Sequence, residues 1–267
     1  MILQGILRRK AKASLNFIFY FIEEILVELL LERPTQRLWR SILDIYEAIL
    51  THPFIRGLTD GSLKEEVFKR YVIQDTIYLR GFAKALASLA ARSPEEDWQR
   101  IFVEDALGVY EVEKRLHESF FAAWGISRDE IERTPPNPVN AAYVNHLLAI
   151  VLSRDFPIGL SAVLPCYWIY LEVGRYLETR GSPKDIYRKW IETYSIGEYV
   201  KIVNRVLNIA DEALNRISEE EWDEAKEAFR LSSIYEYLFW DAAYRGDSFP
   251  FPLRSFHQSY KQCGEKK

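Results

Sequence analysis

Cysteine is scarce in this chain, whose 267 residues contain only Cys166 and Cys263. Two cysteines cannot build the disulfide framework of a small secreted scaffold, and they lack the paired spacing of a structural zinc site. We therefore expect free thiols and a reducing, cytoplasmic setting. The net charge is only −4, so the chain has no basic footprint and we expect no nucleic-acid partner.

The chain also lacks an uninterrupted apolar run near its start. Glu23, Glu24 and Glu28 interrupt the apolar stretch Phe17–Leu31, and no small-residue cleavage site follows it. Both features argue against a signal peptide and against a membrane span. We predict an amphipathic helix over about Ala13–Glu32 that packs on the body or on another subunit, with a helix lying on a membrane surface as the alternative.

Histidine is equally sparse, with four residues scattered along the chain. Glu113 and His117 are four residues apart, a spacing that can ligate a metal ion on a helix. A di-metal bundle needs a second carboxylate–histidine pair of this kind on another helix, and none is present. We therefore predict no metal site and no cofactor.

Helix signals dominate the rest of the sequence. Only twelve glycines and few Val/Ile/Thr alternations occur, which argues against an α/β fold. Long apolar periodicities joined by short loops predict an all-α bundle. Helix starts are predicted at a Thr35 cap, at capping boxes Ser62–Glu65, Ser195–Glu198 and Ser218–Glu221, and at prolines 94, 138 and 183. The expected helices cover about 35–52, 62–92, 94–124, 138–154, 157–179, 183–194, 195–217 and 218–244, with an irregular loop at 129–138 and an irregular surface tail from 246.

The stretch Leu160–Tyr170 breaks a local rule in the middle of a predicted helix. Pro165 removes a backbone hydrogen bond and clashes with the preceding turn, at a cost of about 3 kcal/mol or more. Such a conflict beside Cys166 often marks a functional site. The alternative is a buried free cysteine that acts as a small apolar residue.

Two carboxylates lie among aromatic residues. Tyr71, Asp75 and Tyr78 share one helix face, and a buried Asp75 would need a partner. Glu236 lies among Tyr235 and other aromatics, where desolvation would raise its pKa and suit a general acid/base. In both cases the alternative is a solvated position on an amphipathic helix.

Three tyrosines join these candidates with weaker signals. Tyr170 lies one turn from Cys166 on the same face. Tyr143 is more readily explained as a core aromatic, and Tyr194 is a candidate only in company with the others.

Five segments, in order and spacing, resemble the TenA / thiaminase II family, which has the haem-oxygenase-like helical fold. They are HPF at 52–54, DGSL at 60–63, QDTIYL at 74–79, VLPCYWIYLEVG at 163–174 and YEYLFWDAAY at 235–244. The resemblance covers about residues 36–245. It implies a haem-oxygenase-like bundle with a catalytic domain at 35–245, an N-terminal extension at 1–34 and a tail at 246–267.

The resemblance also implies an activity in thiamin salvage. The small-molecule substrate would be 4-amino-5-aminomethyl-2-methylpyrimidine, hydrolysed to the hydroxymethyl compound and ammonia, with slower cleavage of thiamin. Members are commonly homotetramers, which implies a homo-oligomer here. The implied roles are nucleophile for Cys166, acid/base for Glu236, activation of the cysteine for Tyr78, pyrimidine binding for Asp75, substrate contact for Tyr170, and completion of the pocket for Tyr143 and Tyr194.

Two other functions remain open at this stage. A haem- or cofactor-binding oxygenase on the same fold would need a ligating histidine, and His52 beside Pro53 at a helix end is poorly placed for that. A non-catalytic regulator is the second alternative, because a fold does not fix a function.

Overall fold

The computed structural model describes residues 32–112, 117–195 and 197–252, and within these ranges it contains helices and no strand. The all-α prediction is therefore confirmed. The helices, in chain order, are α1 (Pro34–Arg40), α2 (Leu43–Thr51), α3 (Pro53–Asp60), α4 (Glu65–Ala91), α5 (Glu96–Val112), α6 (Glu118–Trp124), α7 (Arg128–Arg133), α8 (Pro138–Ser153), α9 (Phe156–Glu178), α10 (Asp185–Ser195), α11 (Glu198–Leu214) and α12 (Glu219–Arg245).

Helix α9 forms the centre of the bundle. It contacts α4, α8, α10, α11 and α12, and most of its residues are buried. Its length and composition would suffice to cross a membrane, yet 83% of its most apolar window is buried inside the protein. A helix that is apolar on all sides is expected in a core. Pro165 lies inside α9 as the sequence predicts.

Two predicted helix starts are confirmed by their hydrogen bonds. Asn137 accepts the Asn140 N–H in its side chain and thereby caps α8. The Ser218–Glu221 capping box opens α12. Both caps satisfy backbone donors that have no partner within the helix.

Three other predicted starts are wrong. Helix α1 begins at Pro34, and the N–H of Thr35 bonds instead to Asp211 Oδ1 on α11 at 2.8 Å. Tertiary contact thus supplies the acceptor that a local cap would have given. At α4 the N-cap is Lys64, because the Ser62 N–H bonds to Asp60 Oδ1 in a turn of its own. At α11 the first residue follows Gly197, while Ser195 still belongs to α10.

The described residues form more and shorter helices than the sequence pattern predicts. The helix expected over 35–52 divides into α1 and α2, and α7 occupies the loop predicted to be irregular. Helix α3 was not predicted, and the His52 side chain caps it by accepting the Phe54 N–H at 3.1 Å. The helix expected over 94–124 is described as α5 and α6. The predicted helix over Ala13–Glu32 lies outside the described residues except for Glu32, which is not helical. The tail beyond residue 252, including Cys263, also lies outside them.

Helices α9 and α10 approach closely at a glycine. A Cβ added to Gly174 would lie 2.9 Å from the backbone carbonyl of Tyr194. That contact is too short, and a backbone carbonyl cannot turn away as a side chain can. Glycine at this position therefore sets the spacing that brings Tyr194 towards α9.

We predict that Gly174→Ala lowers the free energy of unfolding by about 1–3 kcal/mol, the range for overpacking a tight site. Denaturant unfolding is the measurement. Gly108→Ala is the matched control, since that helical glycine has nothing within 4 Å of an added Cβ. The control should be neutral or stabilise by up to about 1 kcal/mol. Equal effects of the two substitutions would contradict the role of the α9–α10 contact.

Candidate active site

Five helices bring the seven sequence-predicted site residues together. Helix α4 presents Asp75 and Tyr78 from one face, since residues three apart are neighbours on a helix. Helix α9 does the same for Cys166 and Tyr170, which are four apart. All seven side chains are buried or nearly so. The remaining three are Tyr143 from α8, Tyr194 from α10 and Glu236 from α12.

Aromatic contacts join these helices around the cluster. The rings of Tyr78 and Tyr143 stack with centroids 5.0 Å apart, and those of Tyr170 and Tyr194 are also 5.0 Å apart. The Tyr71 hydroxyl bonds to the Tyr170 hydroxyl at 3.0 Å. Aromatic walls of this kind exclude water, so electrostatic effects inside them are strong.

Glu236 is the central ionisable group. Its carboxyl group is 1% exposed, and Oε1 accepts the Tyr143 hydroxyl at 2.7 Å. Burial, together with the charge of Asp75, raises the pKa of Glu236 to about 8, although the Tyr143 hydrogen bond acts in the opposite direction. The carboxyl group is thus protonated at neutral pH, where it can serve as a general acid.

The thiol of Cys166 is protonated in the same environment. Burial raises its pKa well above the ordinary value, and the charges of Glu236 and Asp75 act in the same direction. The Tyr78 hydroxyl faces the thiol and lowers the pKa of Cys166, but this effect is smaller than that of burial. That hydroxyl makes no hydrogen bond of standard geometry within the described residues.

Two further residues contact the site and were not assigned to it from the sequence. Tyr199 on α11 donates its hydroxyl to the carbonyls of Tyr167 and Cys166, at 2.9 and 3.3 Å. His117 places Nε2 3.2 Å from Asp75 Oδ2. The Glu113–His117 spacing is compatible with a bound metal ion, but the described part of the chain contains no group of three potential metal ligands. Nothing in the sequence sets the register that puts His117 beside α4.

A surface cleft elsewhere on the protein is separate from this cluster. It has a volume of about 560 Å³, runs along α3 and the start of α4, and includes Arg56, Lys64 and Arg70 in its lining. None of the seven site residues lines it.

Comparison with known proteins gives consistent matches over the helical body. The model of the TENA/THI-4/PQQC family matches residues 39–246. An aminopyrimidine aminohydrolase of Bacillus subtilis is 36% identical over 222 residues, which cover 83% of this chain and 93% of that protein. A TenA homologue from P. horikoshii OT3 superposes with a TM-score of 0.75 at 32% identity, covering 80% of this chain and 100% of that one.

A more distant structure identifies the fold alone. A domain of unknown function from Shewanella denitrificans, with a haem-oxygenase-like fold, superposes with a TM-score of 0.64 at 15% identity. It covers 87% of this chain and 97% of its own. The haem-oxygenase-like bundle predicted from the sequence is thereby confirmed.

The buried Glu236 should destabilise the fold as pH rises. Between pH 4.5, its ordinary pKa, and about 8, the folded state keeps a proton that the unfolded state has lost. The free energy of unfolding therefore falls with pH across this window. We predict that Glu236→Gln, which cannot ionise, matches the native chain near pH 5 and is more stable near pH 8 by on the order of a few kcal/mol.

Denaturant midpoints measured from pH 5 to pH 9 test this expectation. Glu227→Gln on the same helix is the control, since the Glu227 side chain is exposed. Its stability should follow that of the native chain at every pH. Parallel curves for the native chain and Glu236→Gln would show that the carboxyl group is not desolvated.

Proposed function

Because this chain belongs to the TENA/THI-4/PQQC family, we propose that its buried cluster converts 4-amino-5-aminomethyl-2-methylpyrimidine and water to the hydroxymethylpyrimidine and ammonia. The chain is a hydrolase of thiamin salvage. Slower cleavage of thiamin is the second reaction of the same site. The observation that carries this proposal is the buried carboxyl group of Glu236, with a pKa of about 8, beside the buried thiol of Cys166.

Cys166 is the nucleophile in this proposal. Its sulfur bonds to a carbon of the pyrimidine ring, and the thiol proton passes to the ring. The ring thereby loses its aromaticity and can push electrons towards the methylene carbon that bears the amine. One difficult displacement is thus divided into two easier steps. Tyr78 assists because its contact lowers the pKa of the thiol.

Glu236 moves the remaining protons. Its protonated carboxyl group donates to the leaving amine as the C–N bond breaks and ammonia departs. The resulting carboxylate accepts a proton from the water that adds to the methylene carbon. When the C–S bond breaks, the thiol regains its proton from the ring and the hydroxymethyl product is free.

The other residues bind the pyrimidine. The carboxylate of Asp75 accepts an N–H of the amino substituent, and it accepts the N–H of a ring nitrogen once that nitrogen has taken the thiol proton. Tyr143, Tyr170 and Tyr194 provide aromatic faces for the ring and exclude water. This division fits a flat ligand with polar edges and apolar faces.

The two alternative functions receive no support from the geometry. A haem ligand is not offered by His52, whose Nδ1 accepts the Phe54 N–H and whose Nε2 lies 3.3 Å from Asp241. A non-catalytic regulator gives no reason to bury two carboxyl groups close enough to raise the pKa of Cys166. A catalytic cluster gives that reason.

We predict that Cys166→Ala lowers turnover of the aminomethylpyrimidine by orders of magnitude with the fold intact, because it removes the nucleophile and only a small volume. Product identification after incubation with the aminomethylpyrimidine and with thiamin is the measurement. Cys263→Ala is the control and should keep the rate within about twofold, as for a change outside the site. Near-normal deamination by Cys166→Ala would exclude the covalent route and leave Asp75 and Glu236 to act on water.

The organisation of the whole chain is also part of the proposal. We assign catalysis to residues 35–245, with 1–34 and 246–267 dispensable for the chemistry, and place the enzyme in the cytoplasm. We further propose a homotetramer. Its support is an apolar stripe on α5, where Val103, Leu107 and Tyr110 are 46%, 64% and 47% exposed at spacings of four and three.

We predict that Leu107→Glu reduces the mass of the particle in solution, because a charge in this stripe opposes burial between subunits. Light scattering coupled to size exclusion is the measurement. Leu152→Glu is the matched control, since Leu152 on α8 is 60% exposed and lies outside the stripe. A particle of unchanged mass in Leu107→Glu would remove α5 from the interface.

A further inference from the structure

His117 is a buried imidazole with a polar group at each nitrogen. Its side chain is 1% exposed. Nδ1 lies 2.7 Å from Thr76 Oγ1, and Nε2 lies 3.2 Å from Asp75 Oδ2. Thr76 and Asp75 are consecutive on α4, so the ring is held against one turn of that helix.

The hydrogen bonds available to Thr76 and His117 indicate that Nε2 of His117 carries a proton directed at Asp75. The single hydroxyl proton of Thr76 has two acceptors within reach, the Val72 carbonyl at 3.0 Å and His117 Nδ1. If Thr76 donates to Nδ1, the neutral imidazole carries its proton on Nε2. If Thr76 donates to Val72, then Nδ1 donates to Thr76, and Nε2 must also be protonated to avoid opposing the carboxylate with a lone pair. Both arrangements direct an Nε2 proton at Asp75.

The contact between Asp75 and His117 is close, but it does not use the full hydrogen-bonding capacity of either side chain. Asp75 Oδ2 and His117 Nε2 lie within ion-pair distance, yet neither has a hydrogen bond of standard geometry within the described residues. A small rotation of either side chain would align the pair. The remaining acceptor capacity of the carboxylate stays available for a ligand.

We propose that His117 is a positioning residue, which orients the Asp75 carboxylate towards the pyrimidine, with Thr76 orienting the imidazole. This proposal rests on the proposed function. The alternative is that His117, which directly precedes α6, only fills the space between α4 and α6. A donor role and a packing role predict different behaviour for substitutions of equal size.

A carboxylate in this site needs such a donor. The ionisable groups that face Asp75 are buried acids, so they are uncharged at neutral pH and supply no cation. They are Tyr71 of α4, Cys166 and Tyr170 of α9, Tyr194 of α10, Tyr199 of α11 and Glu236 of α12. Of the described residues, His117 places a basic side chain within ion-pair distance of Asp75. Its Nε2 proton compensates the charge that the other groups leave unbalanced.

The test compares His117→Leu, which fills the space without a donor, with His117→Gln, which keeps an N–H that can reach Asp75. His117→Leu should weaken binding of the hydroxymethylpyrimidine by about 10- to 100-fold, the range for a lost hydrogen bond to a charged group. KM for the aminomethylpyrimidine should rise more than kcat falls. His117→Gln should recover both quantities to within about threefold of the native values.

Thr76→Val provides a second variant with minimal change of volume. It removes the Nδ1 partner and should weaken binding in the same direction by about threefold to tenfold. Thr76→Val still tests the proposal if His117→Leu fails to fold. The role of His117 is overturned if the Leu and Gln variants bind equally well, or if both lose binding equally while Thr76→Val binds like the native chain. Turnover by the native chain decides the proposed function separately, since the binding ratios do not depend on it.

Discussion

The desolvation of Glu236 is the constraint on which the site depends. A carboxyl group 1% exposed cannot remain charged at low cost, so it takes up a proton and its pKa rises to about 8. Tyr143 satisfies one oxygen with a hydrogen bond at 2.7 Å. The protonated form that folding favours is also the form that a general acid requires. Stability and chemistry therefore favour the same protonation state below pH 8, although the stability falls between pH 4.5 and about 8 because the unfolded chain already ionises there.

Neighbouring helices hold the central helix α9 through its backbone as well as through its side chains. The Tyr199 hydroxyl binds the carbonyls of Cys166 and Tyr167 from α11. Gly174 allows the backbone of Tyr194 to approach the same helix from α10. Pro165 lies immediately before the cysteine. The position of the thiol is thus fixed from two neighbouring helices, and Pro165 is accommodated within a helix that is buried on nearly every side.

The sequence predicted those features that depend on neighbours along the chain. The pairs Asp75–Tyr78 and Cys166–Tyr170 follow from helical spacing, and the caps of α8 and α12 follow from local hydrogen bonds. It failed where a distant helix supplies the partner. Asp211 replaces the expected Thr35 cap, and the contact of His117 with Asp75 depends on packing that no local pattern encodes. The division of the first predicted helix and the presence of α3 and α7 also went unpredicted, because capping residues and prolines allow several boundaries.

The state of Cys166 differs from that of most reactive cysteines. Reactive thiols generally lie in exposed, electropositive surroundings that lower their pKa, which also makes them prone to oxidation. Here burial and two carboxyl groups raise the pKa of Cys166, and only the Tyr78 contact opposes them. The thiol is therefore protonated at neutral pH and needs a proton acceptor to become a nucleophile. In the proposed mechanism a pyrimidine ring nitrogen accepts this proton as the C–S bond forms, and its new N–H then donates to Asp75, so the nucleophile is generated only on a bound ring. In this mechanism the burial that keeps the thiol protonated also makes its activation depend on the substrate.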